Sequence, residues 1–278
     1  LAERARIDGG VNRVLLATDG DFNVGVSDVG QLKELIAAKR KTGITLTTLG
    51  FGTGNYREAL MEQIADVGNG NYAYVDGLAE ARKVLVNEMS STLFTIAQDV
   101  KMQIEFNPAK VAEYRLIGFE NRVLKRADFN NDQVDAGDIG AGHTVTALYE
   151  IVPVGGRGSI DPLRYGTTGA AAASPDAAEF AFLKLRYKLP GQDRSRLIEK
   201  PLAANLLGAP DATKPSADLR FAAAVAAFGQ ILRGGRHTAD FDYGDVLALA
   251  RGARGDDPFG YRAGFLTLVD LARGLQGS

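Results

Sequence analysis

Along residues 11–94, short apolar runs alternate with longer stretches in which apolar residues recur every three or four positions. The run "RVLLAT" (13–18) is continuous, which suits a parallel strand buried on both faces. Leu32, Leu35 and Ile36 then recur at helical spacing, with Ser27 as the expected N-cap and Gly43 as the stop. "ITLTTLGFG" is the next strand. Asn55 and Glu58 read as a capping box for a helix through Leu60, Met61 and Ile64, which Gly68 ends. "NYAYV" is a third strand, and Leu78, Ala81, Leu85 and Met89 mark a third helix. Strands separated by helices mean βαβ units and a parallel sheet.

From Gln98 the rhythm changes. "DVKMQIEF", "KVAEYRLIGF", "HTVTALYEIVPV", "EFAFLKLRYKL" and "SRLIEKPL" are strand-like, several with period-two alternation and none separated by a helix. That order predicts an antiparallel sheet or sandwich. After Pro215 the period returns to helical. Phe221, Val225, Phe228 and Leu232 share one face, Val246, Leu249 and Ala250 a second, and Phe265, Leu268, Val269 and Ala272 a third. The predicted fold class is α/β plus β: a partial doubly wound parallel sheet, then an antiparallel β-sheet or sandwich region, then C-terminal helices. The expected divisions are 1–95, 96–205 and 206–278.

The 278 residues are 45% hydrophobic and 24% charged, the composition of a folded protein with a sizeable core. A formal charge of −2 offers no global positive field, so nucleic acid is not an expected partner. The absence of cysteine excludes disulfides, thiolate metal sites and cysteine nucleophiles. "FAAAVAAFGQIL" is too short for a membrane span and reads as a buried helix. "LAERARIDGG" is neither an initiator nor a signal peptide, and the chain reads as a fragment or processed product, with any membrane tether outside it.

In an open parallel sheet, ligands bind beyond the carboxyl ends of the strands. Asp19 stands at such an end, with Asp21 on the same turn. A hard divalent ion takes oxygen ligands, and one carboxylate cannot hold it alone. "VLLATDGDFNVG" resembles the fourth-strand segment of a von Willebrand factor type A domain, Thr18-Asp19-Gly20 matching the acidic corner of its metal-ion-dependent adhesion site. "YRLIGFENRVL", "DFNNDQVDAGDIGAGHTVTALYEIVP" and "ARGARGDDPFGYRAGFLTLVDLA" resemble the C-terminal region of bacterial proteins of the YfbK type.

The resemblance implies a domain that binds Mg²⁺ or Mn²⁺ and uses the open coordination position to capture an acidic group of a protein partner. It also implies a periplasmic or cell-envelope location. The family's Asp-x-Ser-x-Ser loop and its separate threonine precede the matching segment and are not found here. Only Asp19 carries over as a metal ligand, and Asp21 is placed behind it as a supporting group. The plainer reading of Asp19 is a turn carboxylate that caps the next helix. Lacking earlier strands, "RVLLAT" is expected to present an open backbone edge, which either a separate N-terminal piece or a second copy would cover.

Other motifs are weaker. "LGFGTGNY" with Asp76 imitates a dinucleotide fingerprint, but Asn55 replaces the third glycine. "DFNNDQVDAGDIG" spaces Asp128, Asn130 and Asp132 like a calcium loop, yet Gln133 holds the glycine position and Ile139 the place of the last ligand. Asp135 and Asp138 belong to the same run, which reads as an Asp/Asn-rich turn. Arg254-Gly255-Asp256 falls where Gly252, Gly255 and Pro258 end one helix, and helix-stop chemistry accounts for it. His143, opening a strand, and His237, in a loop, make no metal pair. With no nucleophile–base–orienter set, the expectation is not an enzyme but a binding module for adhesion or assembly. The alternatives are a nucleotide-binding enzyme using the Gly50–Gly54 loop and a purely structural scaffold.

Overall fold

The computed structural model describes residues 1–19, 28–52, 57–88, 91, 93–119, 123–134, 136–156, 158, 178–207 and 215–276. The architecture is mixed α/β, with a parallel sheet, antiparallel strand pairs and six α-helices among the described residues. The chain forms two compact units that interleave in sequence. One comprises Leu1–Gln103, Leu124–Thr144 and Lys184–Ile198; the other comprises Ile104–Val123, Val145–Leu183 and Glu199–Ser278.

In the first unit, β1 (Asn12–Thr18), β2 (Ile44–Gly50) and β3 (Tyr72–Tyr74) form a parallel sheet in the order β1-β2-β3. Helices α1 (Val29–Lys41) and α2 (Glu58–Val67) connect them. Leu60, Met61 and Ile64 of α2 are buried against Leu16, Leu32, Ile36 and Tyr72, which makes the core of this layer. Buried hydroxyls need partners. The fully buried Thr48 donates to the Met61 carbonyl at 3.0 Å, and Thr47 accepts from the Arg13 guanidinium at 2.8 Å. Gly70 is obligatory: a Cβ there would stand 1.9 Å from the Leu46 carbonyl oxygen.

Several local expectations are corrected. α1 is capped by Asp28, whose side chain accepts from the Gln31 amide, so the cap lies one residue beyond Ser27. Thr42 and Gly43 (φ +84°) end it as the glycine predicted. α2 starts at Glu58 behind Arg57, so Glu58 is the first helical residue and not the third residue of a capping box. Asn55 lies outside the described residues. Leu35 is exposed, not on the core stripe. The third helix is a short α-turn, α3 (Leu78–Arg82), continued by a π-turn over Lys83–Asn87. A wider turn shifts the side-chain register. Val84 is buried as a result, while Leu78 and Leu85 face solvent, and Met89 lies outside the described residues.

The continuous run of β1 does not produce a strand buried on both faces. Leu16 packs on the helices, but Leu15 points the other way and is 54% exposed. Among the described residues β1 pairs with β2 alone.

Four further strands, β4 (Thr95–Phe106), β6 (Gly137–Gly140), β8 (Glu179–Lys188) and β9 (Arg196–Ala203), form a sheet in the order β6-β4-β8-β9. β4 pairs with β6 antiparallel, through a ladder broken by bulges, with Asp99 in left-handed conformation (φ +50°). A four-residue strand "GDIG" inside the Asp/Asn-rich run carries no apolar alternation, and sequence reading missed β6. β9 is exposed along nearly its whole length but bears Arg196, Glu199, Lys200 and Pro201, residues that discourage edge pairing.

In the second unit, β5 (Val111–Ile117) and β7 (Leu148–Pro153) pair antiparallel. Phe106 packs on Tyr114 and Tyr149 of this pair, at ring-centroid distances of 4.6 and 5.6 Å. His143 precedes β7 in an exposed loop, not at a strand start. The helices α4 (Ala217–Leu232), α5 (Tyr243–Arg251) and α6 (Tyr261–Gln276) enclose a core of Ala224, Phe228, Tyr243, Val246, Leu247, Ala250 and Val269. Phe228 meets Phe265 edge-on at 5.5 Å. Asp242 and Asp245 form a full capping box at the start of α5. The predicted helical faces are partly wrong: Val225, Leu232 and Leu268 are exposed, whereas Ala224, Leu247 and Leu266 face the core.

Candidate functional site

The carboxyl ends of β1, β2 and β3 lie level, with Thr18 opposite Gly50 and Gly50 opposite Tyr74. Asp19 follows β1 directly and is exposed. Beside it the Phe51 amide donates to the Thr18 carbonyl at 2.9 Å, and the Tyr74 hydroxyl donates to the Gly52 carbonyl. Gly52, at φ +87°, turns the chain here; a Cβ on it would lie 3.8 Å from that of Asp19. Asp76 follows β3 and is exposed.

Asp19 therefore stands where a sheet-end ligand belongs. Asp21 lies outside the described residues, as do Gly54 and Asn55 of the glycine loop. Among the described residues no group of three or more His, Asp or Glu side chains converges to hold a metal. One carboxylate falls short of what Mg²⁺ requires, so the described residues at this corner do not by themselves fit the ion.

A second polar centre in the first unit was not legible in the sequence as a unit. Lys101 on β4 is only 3% exposed, and its ammonium donates to the carbonyls of Asp128 and Asn131. Lys188 on β8 donates to Asp99 Oδ2 at 2.6 Å and to the Asp132 carbonyl at 2.7 Å. Arg186, two residues earlier, donates to Ser195 Oγ at 2.6 Å and Asn130 Oδ1 at 3.0 Å, with its guanidinium over the Phe129 ring. Asp138 accepts from the Asn69 side chain at 2.8 Å and the Asp99 amide at 3.2 Å.

The run that imitates a calcium loop is thus organised around protein cations. Loop carbonyls and Asp99, oxygen donors of the kind that bind a hard ion, take two lysine ammoniums. The side chains of Asp132 and Asn130 are directed to the Ser195 amide and Arg186. Asp135 lies outside the described residues. The hydrogen bond to Asp99 pushes the Lys188 pKa up, and burial pulls that of Lys101 down. Bonds from Ser195 hold the Asp132 carboxyl below its ordinary value.

Arg254-Gly255-Asp256 occupies the turn between α5 and α6. Gly255 is at φ +62°, and Arg262 donates to the carbonyls of Ala253 and Arg254. Asp257 accepts from the first amides of α6, at Arg262 and Ala263. Turn and cap chemistry accounts for the tripeptide, as the sequence suggests. His143 and His237 are both exposed. Among the described residues no helix is long and apolar enough to cross a membrane.

The family model described as "Uncharacterized protein YfbK, C-terminal" matches residues 91–275. The Escherichia coli (strain K12) protein named "Uncharacterized protein YfbK" is 50% identical over 274 residues, 99% of this chain and 47% of that protein. The chain thus spans about half the length of the curated relative it matches. A solved structure titled "von Willebrand factor type A from Catenulispora acidiphila" is 16% identical, with a TM-score of 0.40 over 89% of this chain and 56% of that one. A likeness at that level does not fix the fold.

Proposed function

The chain belongs to the YfbK family, and on that premise we propose that it is a non-enzymatic protein-binding module serving adhesion or assembly. The observation that carries this reading is the edge of β1. Its run Val14–Ala17 is apolar, has no proline, and leaves Leu15 and Ala17 facing solvent. Its one charged residue, Arg13, is turned back onto Thr47. The exposed strand β9 carries charges and Pro201 instead. Among the described residues β1 pairs with a strand on one side only, and an apolar edge of that kind is a template for a further strand. That strand comes from polypeptide beyond this chain or from a second copy.

In the same proposal Asp19 is one ligand of a Mg²⁺ or Mn²⁺ site, with the remaining ligands outside the described residues. The metal would present an open position to an acidic group of the partner. The proposed location is the periplasm or cell envelope, as the resemblance to von Willebrand-type proteins implies.

The metal arm is tested by calorimetric titration of Mg²⁺ and Mn²⁺ into the chain, alongside Asp19→Ala. Binding that disappears in the variant supports a working site. Absence of binding in the wild type makes this stretch a scaffold in isolation. The edge is tested with Leu15→Lys, which is expected to change stability by no more than about 0.5 kcal/mol because the site is exposed. Hydrogen exchange of the β1 amides should slow when a partner strand binds the wild type, and stay fast in the variant. Native mass distinguishes a second copy from a separate fragment. Protected β1 amides in a monomer would refute the pairing.

A further inference from the structure

The exposed face of α6 departs from the usual chemistry of a surface helix. Phe265, Leu266, Val269 and Ala272 pack into the helical core of the second unit. Tyr261, Gly264, Leu268, Leu271 and Leu275 fall elsewhere, spaced three, four, three and four residues apart. Leu268, Leu271 and Leu275 are 54%, 63% and 80% exposed. Thr267 and Gly274 adjoin the stripe, so this face carries no charge. The charged residues of α6 are engaged elsewhere: Asp270 pairs with Arg273 at 3.0 Å and Arg251 at 3.3 Å, and Arg262 with Asp218. A seam of alternating three- and four-residue spacing is the pattern of helices that pair lengthwise.

The glycines supply an independent observation. Glycine is the poorest residue for a helix interior after proline. Where a helix tolerates it, the usual reason is a close neighbour that leaves no room for a Cβ. At Gly264 and Gly274 a Cβ would meet nothing within 4 Å. Among the described residues the fold gives no reason for Gly264, which lies on the stripe, and a body approaching from outside does.

We infer that α6 pairs antiparallel with α6 of a second copy of this chain, about a two-fold axis at Leu268. Leu268 is the midpoint of the stripe from Tyr261 to Leu275. About that point the side chains are complementary in size: Leu271 meets the gap at Gly264 of the other copy, and Leu275 meets Tyr261. A parallel pair would set glycine against glycine and leave a void, and it would align the two helix dipoles unfavourably. The interface is isologous, as a two-fold dimer requires. The stripe is about 21 Å long at 1.5 Å per residue. A single helix pair of that length is at the low end of interface size, below about 1,200 Å² in total. The dimer is thus expected to dissociate on dilution. It is separate from the β1 edge and does not depend on it.

The chain contains no cysteine, so engineered thiols report the geometry directly. Leu268→Cys, on the axis, is expected to give an inter-chain disulfide in most molecules under mild oxidation. Tyr261→Cys or Leu275→Cys alone should not, because each residue would lie about 21 Å from its own copy, beyond the 4.4–6.8 Å that a disulfide spans. Mixing those two variants should restore the cross-link. Gly264→Leu in the Leu268→Cys background should lose the cross-link while raising the melting temperature, which separates a filled gap from a damaged fold. Cross-linking of all three single variants to the same extent would mean a parallel pair and overturn the proposal. So would a wild-type chain that sediments as a monomer at several hundred micromolar. That second outcome would assign the face to polypeptide beyond this chain or to another protein. Leu15→Lys should leave every one of these results unchanged.

Discussion

Lys188→Met is expected to destabilise the chain by about 3 kcal/mol in urea unfolding at neutral pH. The substitution takes the ammonium partner away from Asp99, leaving its carboxylate with the Ala136 amide and the charge of Lys101 in a site where it cannot hydrate freely. The two side chains are 13% and 19% exposed, so solvent screens the pair only weakly. Asp99→Asn in the same background should recover part of the loss, because asparagine tolerates the left-handed backbone at φ +50° and carries no charge. A loss below about 1 kcal/mol would place the pair in the class of screened surface bridges.

The pH dependence of this centre follows from the directions of its shifts. Lys188 has a raised pKa, so its stabilisation is whole below the ordinary lysine value of 10.5 and is lost as pH rises through the higher folded value. Lys101 is shifted down, so its burial penalty is relieved as pH rises from its folded value towards 10.5. Asp132 is shifted down as well. Its contribution is present above the ordinary 3.8 and is lost as pH falls through the folded value. Lys188→Met should shrink the alkaline loss to the part that the half-buried Tyr149 hydroxyl, whose pKa is also pushed up, still contributes.

Leu247→Ala is expected to cost about 3–4 kcal/mol, the range for a large-to-small change that leaves a cavity in a core. Leu247 is fully buried among Phe228, Val246, Ala250 and Val269. Thermal unfolding and hydrogen exchange of the α5 amides would both register the loss. Leu268→Ala, on the exposed stripe, should stay within about 0.5 kcal/mol when measured at a concentration where the chain is monomeric. Equal costs at the two positions would mean that the core lies elsewhere.

Leu247 and Leu268 show where sequence reading succeeds and where it stops. Helical spacing placed a helix at each, and both helices exist. The spacing put Leu268 on one face with Phe265, Val269 and Ala272, and did not name Leu247. α6 carries apolar residues on more than the face that its own core uses, and periodicity cannot tell which stripe the neighbouring helices take. The same limit applies to β1. A continuous apolar run marks a strand with two apolar faces, but whether both are covered depends on elements far away in the sequence or on other chains.

At the candidate sites, sequence placed Asp19 correctly at a strand end, because the switch from an apolar run to a glycine turn is local. It read the Asp/Asn-rich run as a turn, from Gln133 and Ile139, and missed β6 inside it. It could not show that Lys101, Arg186 and Lys188, 27 to 60 residues away from Asp128 and Asn130 in the chain, would fill that loop with charge. Lysines on alternating strands read as solvent-facing until the neighbouring strand and loop are known.

By itself the sequence determined the order of elements apart from β6, the change from parallel βαβ units to antiparallel pairing, the cap and stop of α1 to within a position, and the family. Each rests on short-range chemistry: period, turn residues and the reach of a cap. Tertiary structure decided which apolar faces are buried, which carboxylates meet cations, and which edge and helix stripe remain open. Those depend on contacts between residues far apart in the chain, and burial is a property of the assembled layers that no local spacing contains.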